Sequence, residues 1–214
     1  MKIEQQSEHK VPKRKQYPTI TPKRAAEAFY ELLTLRRMFL EDERYAKLTE
    51  YLDILTDDNA DTRIKTFDAK THAQEVKAGS LALFGKVIFI VSNQLLEKAR
   101  KGCKLANFTL AHEFAHVELG HHEDQKIVKN FQLFSTEQGQ ANIPPTDEEL
   151  EANFGATFFQ CGVALLDPDA DPISLANRAY TDVGYVKKSL RICQSEVFRK
   201  ELEILTAPKP RAVL

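Results

Sequence analysis

Residues 104–120 read KLANFTLAHEFAHVELG, a stretch that is apolar on nearly every side once wound into a helix. Leu105, Phe108, Leu110, Ala111, Phe114, Ala115, Val117 and Leu119 surround it, and Gly120 closes it. Such a helix is buried, so the remaining elements have to be built around it. Yet it carries His112, Glu113 and His116. Histidines four apart project from one helical face a turn apart, so both imidazoles reach a single ion. A glutamate directly after the first is the usual general base beside a zinc-bound water. Burying these groups is costly unless a partner uses them. The pattern predicts one zinc ion per chain, with manganese as the alternative metal for such donors.

The 214 residues are enough for one domain with a substantial core. A net charge of −1 argues against a global field for nucleic acid or membrane. Charge is concentrated at the start: Lys2, Lys10, Lys13, Arg14 and Lys15 face only Glu4 and Glu8, so residues 1–20 read as a flexible basic arm. Cys103, Cys161 and Cys193 are far apart and form no CxxC, which points to reduced thiols rather than a disulfide framework. No apolar run approaches the ~18 residues of a membrane span, and no secretory signal opens the chain. A cytoplasmic location with no membrane partner is expected.

Thr21-Pro22 marks a helix start, and Ala25, Ala26, Phe29, Leu32 and Leu33 follow at helical spacing. A second helical pattern runs through Tyr45, Leu48, Tyr51, Leu52 and Leu55. Ile64 and Phe67 belong to a short strand, and residues 81–84 and 87–91 flank a two-residue turn as a hairpin. Ser92 to Lys104 reads as a polar connector, and residues 121–146 as a long exposed excursion. Thr146 and Glu149 form a capping box opening a helix to about Leu165. Shorter helices follow over 173–180 and 183–192 and to about Leu205, before a frayed tail at 206–214.

Catalytic zinc takes three protein ligands and leaves one position to water, so a third ligand is needed. His122 stands where the longer HExxHxxGxxH pattern puts its last histidine, but that pattern needs glycine at position 119, which is Leu119. His121 competes with it. Among Glu148, Glu149 and Glu151, the last has the best surroundings, because Ala152, Gly155, Ala156 and Thr157 form a small-residue surface on which two helices approach closely. Glu148 and Glu149 suit first-turn charges that complement the helix dipole.

The run Phe108 to His116, followed by Glu149-Leu150-Glu151-Ala152-Asn153 and Gly155-Ala156, resembles the ImmA/IrrE family of bacterial metallo-endopeptidases, which shows F-T-L-A-H-E-x-x-H and then E-x-E-A-N-x-F-A. The similarity extends more weakly over residues 25–195. It implies His112, His116 and Glu151 as zinc ligands and Glu113 as catalytic base. It also implies an α+β fold over residues 21–205: a mainly helical zincin-like metallopeptidase domain with a small, mostly antiparallel sheet packed beside the motif helix. Helices from about 172 would brace that domain or form a helix-turn-helix. The chain departs from the pattern at Gly155, where the family has an aromatic, and over Phe159-Gln160-Cys161-Gly162, where it has Leu-Leu-Met-Pro.

The activity implied is hydrolysis of a protein substrate, of the repressor type in that family, by Glu-assisted attack of metal-bound water. His121, His122, Tyr180 and Tyr185 are candidates for a helper that stabilises the oxyanion. Two other classes compete. One is a non-catalytic protein-binding module with a zinc site. The other is a DNA-binding regulator using the basic arm and the 175–191 helices. Direct nucleic-acid binding is not expected, because Asp182, Val183 and Gly184 occupy the leading positions of the second of those helices.

Overall fold

The computed structural model describes residues 20–58, 62–68, 78–83, 86–121 and 146–208. The basic arm up to residue 19, the excursion over 122–145 with His122, and the tail from 209 lie outside them. The first helix, α1 (Pro22–Phe39), begins where expected, with Thr21 as N-cap accepting from the Arg24 amide at 3.3 Å. Next come α2 (Leu48–Asp58) and three strands, β1 (Thr62–Phe67), β2 (Ala78–Leu83) and β3 (Lys86–Ser92). Then follow α3 (Asn93–Arg100), the motif helix α4 (Lys104–Glu118) and α5 (Asp147–Cys161). After a 3₁₀ turn over Gly162–Leu166, the described chain ends with α6 (Pro172–Arg178), α7 (Val183–Cys193) and α8 (Glu196–Thr206).

Two sequence expectations need correcting here. The sheet is mixed rather than mostly antiparallel. Its order is β1-β3-β2, with β2 antiparallel to β3 as in the expected hairpin and β1 parallel to β3, pairing Thr62 with Val87 through Phe67 with Ser92. Alternation marks a strand but not its direction. Once the hairpin occupies one edge of β3, β1 takes the other, and the path of the chain runs it parallel. The second correction is α3, which lies in the segment read as a connector. Ser92 caps it, accepting from the Leu95 amide at 3.2 Å, and Leu95, Leu96 and Ala99 are buried. A stripe of three apolar residues in eight is too short to stand out among the charges around it.

Aromatic rings fix α4 within the helical layer. Tyr51 of α2 meets Phe114 edge-on at 5.1 Å and Phe159 of α5 at 4.7 Å, while Phe89 of β3 stacks toward Phe114 at 6.4 Å. Phe29 does the same for α1, edge-on to Phe158 at 5.4 Å and Phe198 at 5.6 Å. Buried Asn107 ties the start of α4 to its neighbours. It accepts from the Leu48 amide at 2.9 Å and donates to the carbonyls of Ala99 and Cys103 at 2.9 and 3.0 Å. Arg36, fully buried, donates to the carbonyls of Phe159 and Arg44 and lies over Gly162, whose φ of +54° and crowded Cα leave no room for a side chain. Among the described residues no helix is long and apolar enough to cross a membrane.

The α4–α5 contact is the closest constraint on the site. A methyl group on Gly155 would sit 2.9 Å from the Cβ of Ala115 and 3.1 Å from methyls of Leu119 and Leu32. The leucines can rotate away; the alanine Cβ cannot. We therefore expect Gly155→Ala to destabilise the fold, because overpacking costs about 1–3 kcal/mol and outweighs the roughly 1 kcal/mol that alanine gains in helix propensity. Urea denaturation should show a lower midpoint at unchanged slope; a raised midpoint would mean that the two helices are not in this contact.

Candidate metal centre

His112 and His116 stand one turn apart on α4, both buried, and point their Nε2 atoms at each other at 3.1 Å. The third group comes from the first turn of α5. Glu149 brings Oε2 to 3.2 Å from Nε2 of His112 and Oε1 to 3.4 Å from Nε2 of His116. Ligand atoms of these three side chains all lie within 4.8 Å of one another. Donors about 2.1 Å from a tetrahedral ion stand about 3.4 Å apart, so the spacing suits a small divalent cation. Two imidazoles and one carboxylate are also the right donor chemistry for zinc.

Protonation favours metal binding as well. Burial lowers the pKa of His116 to about 4, with nearby His112 and His121 adding to the fall and Glu149 opposing it. The imidazole is therefore neutral near pH 7, with a lone pair to offer. Contacts with His112 and His116 hold Glu149 well below the usual carboxylate range despite its partial burial. The first turn of a helix favours that negative charge too.

The carboxylate that meets the two imidazoles differs from the one expected. Glu151 does not join the histidine pair: its carboxylate pairs with Arg24 of α1 and lies 3.7 Å from Nε2 of His121. Residues 149 and 151 are about 200° apart around a helix, so only one of them can face the imidazoles. The capping-box reading hid Glu149. Its amide does donate to Thr146 at 3.2 Å, as such a box requires, but its carboxylate is turned to the histidines.

Glu113 is buried one residue after His112, outside the converging trio. The helper candidates separate. His121 sits behind His116, on the ring nitrogen that faces away from the trio. Tyr180, at φ +52°, packs its ring against Gly102 and Lys47. Tyr185 of α7 stacks on Phe108 at 5.3 Å and meets Phe154 edge-on at 5.8 Å. Its pKa is raised by burial and by the charges of Asp182 and Glu149, so its hydroxyl keeps its proton. Compared with family models, curated proteins and solved structures, the chain matches none.

Because the folded state resists protonating His116, the metal-free protein should lose stability as pH falls from about 6.5 toward about 4, where the unfolded chain binds the proton first. The loss should level off below that window after reaching up to roughly 3 kcal/mol. Urea midpoints of chelated protein across this range check it. His116→Gln should make the dependence shallower, and an unchanged slope in that variant would show that the imidazole is not buried neutral.

Proposed function

We propose that this chain is a zinc-dependent endopeptidase acting on protein substrates. The carrying observation is the convergence of His112, His116 and the half-buried Glu149, with a buried Glu113 directly after His112 in the chain. The resemblance to ImmA/IrrE metallo-endopeptidases supports the reading and suggests a repressor-type DNA-binding protein as substrate.

When bound, the metal supplies Lewis acidity toward a scissile carbonyl and toward water. The chain's own residues do the rest. His112, His116 and Glu149 hold the ion. Glu113 takes a proton from the attacking water and passes it to the leaving amine. Tyr185, protonated and within the field of Glu149, is the group that donates to the developing oxyanion. An extended substrate pairs with β2, an outer strand of the described sheet that packs against α4.

Glu113→Gln should keep one zinc per chain and an unchanged melting profile while peptide hydrolysis falls at least about 100-fold. Tyr185→Phe should lower turnover by about 100-fold with zinc content unchanged. Zinc analysis beside hydrolysis of a peptide library measures both. Hydrolysis at the parent rate in Glu113→Gln would remove the peptidase assignment. Zinc binding and partner capture without any hydrolysis would favour the binding-module reading instead.

A further inference from the structure

Three side chains behind the metal-facing atoms form a line that the proposed hydrolysis leaves without a task. Nδ1 of His116 and Nδ1 of His121 face each other at 2.8 Å, so one donates and the other accepts. The two rings meet edge to face, 4.9 Å between centroids. Beyond the second ring, Nε2 of His121 stands 3.7 Å from Oε1 of Glu151, an ion-pair distance longer than a hydrogen bond, and Arg24 closes on the same carboxylate. The side chains of His121 and Glu151 are only 6% and 11% exposed.

This line comes from three separate parts of the chain. Gly120, at φ +70°, ends α4 in a Schellman turn: its amide donates to Val117 and that of His121 to His116. The turn folds His121 back beneath the last imidazole of α4. Glu151 comes from α5 and Arg24 from the first turn of α1.

The tautomers are forced by elementary bookkeeping of protons. For Nε2 of His116 to offer a lone pair to a cation, Nδ1 must carry the proton and donate it. Nδ1 of His121 then accepts, which puts the His121 proton on Nε2, the atom directed at the anionic Glu151. Partners of this kind orient a metal-binding imidazole and raise its basicity. His112 differs: its Nδ1 is buried with no hydrogen-bond partner.

We propose that Arg24, Glu151 and His121 form a positioning relay that sets the tautomer and ring orientation of His116, Glu151 acting on the metal only through His121. This rests on the metal-centre reading above, but not on peptide hydrolysis.

The test is metal affinity of the full chain, read by zinc competition against a chelator and by the absorption spectrum of the cobalt-substituted protein. Glu149→Ala should lose stoichiometric metal. Glu151→Gln and His121→Ala should keep one ion, bound about 10- to 100-fold more weakly. The double variant should bind no worse than His121→Ala alone, because both changes break one line. His121→Asn, whose amide oxygen can accept from Nδ1 of His116 and which leaves the Arg24 pair intact, should recover part of the loss. Melting curves of the metal-free variants separate these effects from loss of fold.

Parent affinity in Glu151→Gln, additive losses in the double variant, or no recovery in His121→Asn would overturn the relay. Retention of metal by Glu149→Ala with its loss in Glu151→Gln would make Glu151 a ligand and overturn it too. A parent protein that binds neither zinc nor cobalt would sink the metal centre and the relay together. Tight metal binding without hydrolysis would sink only the peptidase reading.

Discussion

The separation of two helix backbones governs what this molecule can do. Helices usually pack 8–10 Å apart, according to the side chains between them. Gly155 of α5 faces Ala115 of α4 with no space for one further methyl group, and Ala152, Ala156 and Thr157 are buried on the same helix. Only at that approach can a glutamate side chain from α5 span to two imidazoles on α4. Tyr51, Phe114 and Phe159 then lock the pair from the side. A larger residue at 155 would push α5 outward. The contacts of Glu149 would open before the aromatic core did, because polar contacts at 3.2 and 3.4 Å tolerate far less displacement than ring packing.

Several of the charged and titratable groups in this interior are set against one another. The neutral imidazole of His116 and the anionic carboxylate of Glu149 suit one another across the α4–α5 contact. Burial opposes ionisation of Glu151, but its contacts with His121 and Arg24 outweigh that and keep it below the usual carboxylate range. Arg36 uses a different solution, main-chain carbonyls in place of a carboxylate. One region thus sets imidazoles against carboxylates, while the other uses a buried cation to hold the end of α5 against α1.

Much of this was legible from residues alone, and the reasons are specific. The α1 start at Thr21-Pro22, the 81–91 hairpin and the α5 start at Thr146 are local devices, complete within a few residues. The buried motif helix announced itself because no solvated face could be drawn on it. What was hidden depends on relations between distant segments: the parallel partnership of β1 with β3, and the choice between Glu149 and Glu151. Small residues around Glu151 correctly indicated close helix approach. They did not reveal which neighbour each carboxylate would meet, since Glu151 faces α1 and Glu149 faces α4. His121 was visible as a candidate, yet its role follows from the turn at Gly120 that aims it at the back of His116 rather than at the open side.

The helix caps therefore do more than satisfy terminal amides. Thr146 decides where α5 begins, and each residue of offset would turn every later side chain by about 100°. With the start held at Thr146, Glu149 falls toward the imidazoles and Glu151 toward Arg24 and His121. A start one residue later would carry both carboxylates off their partners at once. Gly120 sets the other boundary, stopping α4 one turn after His116 so that the next residue returns to it. Two loop-edge residues with no chemistry of their own thus determine the angular order in which five titratable side chains meet, and that order separates the atoms that converge between His112, His116 and Glu149 from those behind them.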